Sequence, residues 1–127
     1  MEKVLGIGGV FFRSKEPEAL SRWYTKHLGI DISEAVWQQS NGPTVFCPFK
    51  HDTRYFGRSD QQWMINFRVA DLDAMVAQLQ SYGVDVEIRP EEWDSEVGRF
   101  ARVHDPDGNP IELWEPAPHS ALGNTGV

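Results

Sequence analysis

Two segments of the chain, Val10–Ile32 and Ile65–Val86, follow one pattern. Val10-Phe11-Phe12-Arg13 answers to Ile65-Asn66-Phe67-Arg68, and Glu16-Pro17-Glu18-Ala19-Leu20 to Asp71-Leu72-Asp73-Ala74-Met75. Leu28-Gly29-Ile30-Asp31-Ile32 answers to Tyr82-Gly83-Val84-Asp85-Val86, so the pattern returns after about 55 positions. A strand–helix–strand unit written twice predicts a pseudo-twofold architecture. What the copies share belongs to structure, and where they differ a site can lie. Asn66 against Phe11 is such a difference.

The second copy shows the pattern most clearly. Met64–Val69 alternates as a strand, Leu72, Met75, Val76 and Leu79 form a helical stripe, Gly83 ends the helix, and Val84–Ile88 resumes the sheet. In the first copy Val4–Phe12 is the strand. Pro17 in the first turn, with Glu16 and Glu18 at the positive end of the dipole, then opens a helix. Its apolar face is Ala19, Leu20, Trp23, Tyr24 and Leu28, and Gly29 closes it before Ile30–Ile32. Further strands are expected at Val36–Gln39, Thr44–Phe49, Phe100–His104 and Ile111–Trp114, the last two joined by the turn Asp105-Pro106-Asp107-Gly108-Asn109. The expected fold class is α+β, two βαβββ modules with sheets curled around a cavity: module 4–60, module 61–116 and a flexible tail 117–127.

Strand parity assigns faces. Val10 and Phe12, Ile65, Phe67 and Val69, and Ile111 and Leu113 are the helix-facing set. Gly9, Phe11 and Arg13, Met64, Asn66 and Arg68, and Glu112 and Trp114 point the other way, with Arg102 on the same parity in the adjacent strand. Polar groups gathered on that face predict a concave pocket.

Composition narrows the function classes. The 127 residues are 40% hydrophobic, enough for one core and too many for a disordered chain. No apolar run approaches the roughly 20 residues that span a bilayer. Glu2 and Lys3 lead into no signal-like stretch, and Cys47 is the only cysteine, so a cytoplasmic protein without an internal disulfide is expected. A formal net charge of -7 with no basic run disfavours nucleic acid.

The doubled unit, Trp23-Tyr24 followed by Leu28-Gly29, and the closing Asp105-Pro106-Asp107-Gly108-Asn109-Pro110-Ile111-Glu112-Leu113 resemble the vicinal oxygen chelate superfamily. That group holds glyoxalase I, extradiol dioxygenases, bleomycin-resistance proteins and metal-dependent fosfomycin-resistance enzymes. The resemblance covers about 115 residues and implies paired modules around a cavity, often completed by dimerisation. In catalytic members it also implies a divalent metal held by a His or Gln on the first strand of each module and a Glu on the last. Glu112 takes the last-strand position, but the two histidine positions are Gly9 and Met64, which offer no hard ligand. His27, His51, His104 and His119 lie elsewhere, so no metal ligand and no cofactor are assigned.

Each candidate residue carries two readings. Glu112 is a pocket carboxylate, the catalytic candidate, or a former ligand position now paired with an arginine. Arg68 and its counterpart Arg13 are shared structural groups or anion receptors, and Arg102 and Arg99 are a solvated edge or the same kind of receptor. Asn66 orients a ligand or a water. Met64, Phe11 and Trp114 complete the expected ligand-binding set, while Trp37, Phe46, Phe49, Tyr55 and Phe56 are pocket wall, core or dimer interface. Cys47 has no acid–base partner in sequence, and His104 reads as a turn residue. The leading expectation is a small-molecule-binding protein or enzyme of the glyoxalase and bleomycin-resistance type without the usual histidines, forming a homodimer. The alternatives are a lyase or dioxygenase with a non-standard metal site, in which Glu112 and His104 recruit further ligands, and a binding-only protein for a basic aromatic drug.

Overall fold

The computed structural model describes residues 1–32 and 36–118. His119 and most of the expected tail fall outside them. The elements run α1 (Pro17–Leu28), β1 (Ile65–Arg68), α2 (Leu72–Ser81), α3 (Pro90–Trp93), β2 (Gly98–His104) and β3 (Pro110–Pro116). The strands make one sheet in the order β1-β3-β2, with β1 parallel and β2 antiparallel to β3. An isolated bridge from Glu87 to Arg102 brings a fourth segment beside β2. The second half thus follows the expected strand–helix–strand–strand–strand order, with Val84–Ile88 reduced to that bridge.

Local chemistry explains the helices. Pro17 starts α1, and Gly29 ends it at φ 70, a left-handed conformation that disfavours a side chain. Asp71 caps α2 by accepting the Ala74 N–H at 3.0 Å, and the Leu72 N–H is taken by Glu115 Oε1 at 2.8 Å from β3. The apolar stripe of α2 is buried as its spacing predicts, with Leu72 at 1% and Leu79 at 0% exposure. Both helices lie on one face of the sheet. There Leu20 and Tyr24 of α1 join Leu72, Val76 and Leu79 of α2 against Ala101, Val103, Ile111 and Leu113. Each such side chain contributes about 1.5–3 kcal/mol of burial. His27, absent from the expected stripe, is also buried, and desolvation lowers its pKa from 6.5.

The first half departs from expectation. Val4–Phe12, Ile30–Ile32, Val36–Gln39 and Thr44–Phe49 contain no strand. Leu5 and Phe11 stand 96% and 94% exposed, and only Phe12 turns inward, onto the Tyr24 and Trp63 rings. Propensity alone does not make a strand, because the ladder needs a neighbour. Gly6, Gly8 and Gly9 loosen the first run, and Pro48 has no N–H to donate in the last. The described structure is therefore a small mixed α/β unit with a three-strand sheet, and the outer edge of β1 faces no strand. No helix among the described residues is long and apolar enough to cross a membrane.

One buried carboxylate links the halves. Asp105, 4% exposed, accepts the Tyr24 hydroxyl at 2.6 Å, the Asp107 and Asn109 backbone N–H groups at 2.9 Å each, and the Asn109 amide at 2.8 Å. Asp105→Ala would strand several of these donors. A loss on the order of 3 kcal/mol is expected by urea denaturation, against about 1 kcal/mol for Tyr24→Phe, which removes one bond of the set.

Candidate functional site

On the sheet face away from the helices, the ladder places Asn66 beside Glu112 and Glu112 beside Arg102. The three strands therefore present an amide, a carboxylate and a guanidinium in one rung. Glu112 is only 9% exposed although it lies off the helix side. The Asn66 amide donates to its Oε1 at 2.7 Å, and the Tyr55 hydroxyl donates to its Oε2. Burial raises the Tyr55 pKa well above its ordinary value of 10.0. The hydrogen bond to Glu112 and that carboxylate's charge add to the rise, and Arg102 opposes it. Tyr55 is thus a neutral phenol that donates.

Glu112 bonds Asn66 and Tyr55, and no ion pair joins it to Arg102, the arginine beside it in the ladder. The Arg102 guanidinium lies over the Tyr55 ring at 4.5 Å and the Trp93 ring at 5.3 Å, interacts with the Tyr55 hydroxyl, and places Nη2 3.7 Å from the Met64 thioether. Its Nε is buried with no acceptor. Trp93 comes from α3, whose start at Pro90 positions the ring above β2. The next rung holds Arg68, Trp114 and Phe100. Trp114 is 2% exposed, stacks on Phe100 at 6.3 Å between centroids and donates its indole N–H to the Val97 carbonyl at 3.0 Å. It is wall rather than contact surface. Gly98 makes this packing feasible: at φ 143, a Cβ there would collide with the Trp114 indole nitrogen and the Glu115 carbonyl.

The structure therefore gathers Glu112, Asn66, Arg102 and Met64, and adds Tyr55 and Trp93 to them. Arg68 turns aside, donating to the Ser40 and Asn41 carbonyls at 2.9 and 3.4 Å. Phe11, expected on the same face, stays exposed and is not brought to the rung. Tyr55 stood among the aromatic candidates in the sequence, but nothing there marks it as the donor to Glu112, 57 positions away. Trp93 has only its neighbour Arg89 as a local signal, the two forming a cation–π pair at 5.6 Å. A cavity of about 310 Å³ opens on the opposite face, at the free edge of β1, among Leu28, Ile30, Trp37, Phe67, Met75 and Gln78. Its lining is mostly apolar but includes Arg68 and Asp71, and none of Asn66, Arg102 or Glu112 lines it.

Residues 9–114 match the family described as Glyoxalase-like domain, and the chain belongs to that family, within the vicinal oxygen chelate superfamily. No match is found among curated proteins. Two solved structures from Streptomyces sp. CB03234 are similar. TnmS3, an antibiotic binding protein, is 24% identical over 82% of this chain and 88% of its own, with a TM-score of 0.49. A glyoxalase/bleomycin resistance protein is 27% identical over 80% of this chain and 92% of its own, with a TM-score of 0.48.

The divalent ion that the superfamily implies does not fit these donors. Glu112 has both oxygens engaged, Met64 offers a soft thioether, and a guanidinium occupies the adjacent strand position. At Gly9 the nearest atoms to a built Cβ belong to the Phe11 ring. His27 is packed between Trp23 and Tyr82, while His51 and His104 are exposed.

Raised tyrosine pKa values give the fold an alkaline limit. The unfolded chain ionises near 10.0, whereas folded Tyr55 and Tyr24 hold their protons beyond that, so the unfolded state binds fewer protons there. Their stabilisation is complete below pH 10.0 and is lost as pH rises through the folded values. Denaturant midpoints are expected to fall above pH 10, and Tyr55→Phe should flatten that fall.

Proposed function

We propose that the chain binds a small molecule at the Asn66–Glu112–Arg102 rung, and does so without a resident metal ion. The observation that carries this reading is Glu112 itself, a nearly buried carboxylate fixed by Asn66 and Tyr55 on the face the superfamily uses for its ligands. A carboxylate held by two donors orients those donors and keeps its remaining lone pairs fixed for a bound molecule. Tyr55, Trp93 and Phe100 supply apolar walls. The two modules, in this reading, complete their sheets in a homodimer. The open edge of β1 and the exposed apolar run Val4–Phe12 support that, since one lacks a strand partner and the other lacks a ladder. The free Cys47 fits a cytoplasmic setting.

A thermal-shift screen of small aromatic acids, amides and amines tests the binding claim. At least one ligand should raise the melting temperature with and without a chelator, and Glu112→Ala should remove the shift. A shift that disappears on chelation, or one divalent ion retained per chain on elemental analysis, would overturn the metal-free reading. Sedimentation velocity at micromolar concentration should find a dimer, and Phe11→Asp should produce monomers.

A further inference from the structure

Three arginines of the sheet are partly buried, and they differ in what they meet. Arg99 bonds Asp73 at 2.8 Å and approaches Asp94 at 3.7 Å, while Arg68 is held by two backbone carbonyls. Among the described residues, the Arg102 guanidinium bonds no carboxylate and no carbonyl. Its cross-strand neighbour Glu112, the one acid in register with it, is occupied by Asn66 and Tyr55. A guanidinium withdrawn from water without a counter-ion is costly, and a buried N–H without an acceptor adds to the cost. The Tyr55 and Trp93 rings offset part of it through their π faces, and the Tyr55 hydroxyl interacts with the guanidinium as well, but Nε is left without an acceptor among the described residues.

We infer that Arg102 is the receptor for an anionic head group, and that the ligand of this site is a planar aromatic carboxylate. This rests on the binding reading above and deepens it by fixing the sign and shape of the ligand. Rings cover a face of the guanidinium, so a ligand reaches its N–H edge in plane, as a carboxylate fork does. The aromatic part of the ligand then lies among Trp93, Tyr55 and Phe100, and Glu112 faces it as an acceptor already satisfied by two donors. A cationic ligand would meet Arg102 at close range, which opposes the basic drug that the net charge of -7 alone would favour.

The test uses three probes of one shape: 2-naphthoate, 2-naphthamide and 2-naphthylmethylammonium, titrated into the full chain by calorimetry. The acid should bind at least about tenfold more tightly than the amide, the yield of one charge-assisted bond pair. The ammonium should bind most weakly. Arg102→Gln should remove the acid's advantage over the amide. Arg102→Lys keeps the charge but loses the fork, and should fall between. If Arg102→Gln fails to fold, the lysine variant decides through the same acid-to-amide ratio. Equal binding of acid and amide, tightest binding of the ammonium, or an acid affinity indifferent to both variants would overturn the anion receptor. So would silence from all three probes. In each of these cases, a different ligand from the thermal-shift screen that depends on Glu112 would leave the binding reading standing.

Discussion

The Asp105 carboxylate sets the register on which the rest of the structure depends. It accepts two backbone N–H groups and an amide inside its own turn, and so fixes where β2 ends and β3 begins. Side chains alternate along a strand, so a slip of one residue in this hairpin would put Glu112 under the helices and Leu113 into the polar face. The fourth bond, from Tyr24, joins that turn to α1 and hence to the other copy of the repeat. The Asp105–Asn109 turn, one part of the resemblance to the superfamily, is thus more than a loop. It sets the phase of the strand that carries the site.

The parts of the structure that local rules govern were legible in the sequence. Parity placed Ile65, Phe67, Ile111 and Leu113 toward the helices and Asn66 with Glu112 on the other face, and the ladder pairs those two residues directly. Helical spacing found both stripes, and glycine found both helix ends. The illegible parts depend on distant partners. Val4–Phe12 has the composition of a strand, but composition cannot supply the neighbour that would make it one. Tyr55 reaches Glu112 from a segment of turns, and no periodicity points to such a contact. One reading of Glu112 paired it with an arginine; its partners are instead Asn66 and a phenol from outside the sheet, which strand parity does not foresee.

The repeat also shows how a site arises from symmetry that has been broken. Arg13 and Arg68 are equivalent in sequence, yet the second is tied to the Ser40 and Asn41 carbonyls while the first lies in an exposed run. Phe11 and Asn66 are equivalent too. The phenylalanine is left in solvent, whereas the amide bonds the carboxylate of the central strand. Positions equivalent in sequence thus carry different chemistry, and the polar rung belongs to the second half.

On the proposed reading, the Arg102 guanidinium stands in for the divalent ion that the resemblance implies for catalytic members, and the two would solve the same electrostatic problem differently. A divalent ion needs several hard donors converging on a point, and it fixes the ligand by coordination. An arginine brings its positive charge covalently on β2, needs only a hydrogen-bond acceptor in return, and selects for a flat, forked group. Replacing the histidine positions by Gly9 and Met64 removes the converging donors, and Met64 then lies against Arg102 instead. In that reading, Gly9 and Met64 at the histidine positions and the Arg102 guanidinium beside Met64 are one arrangement. On the proposed reading, the positive charge that meets the ligand is that of Arg102, which acts as a hydrogen-bond donor and not as a Lewis acid.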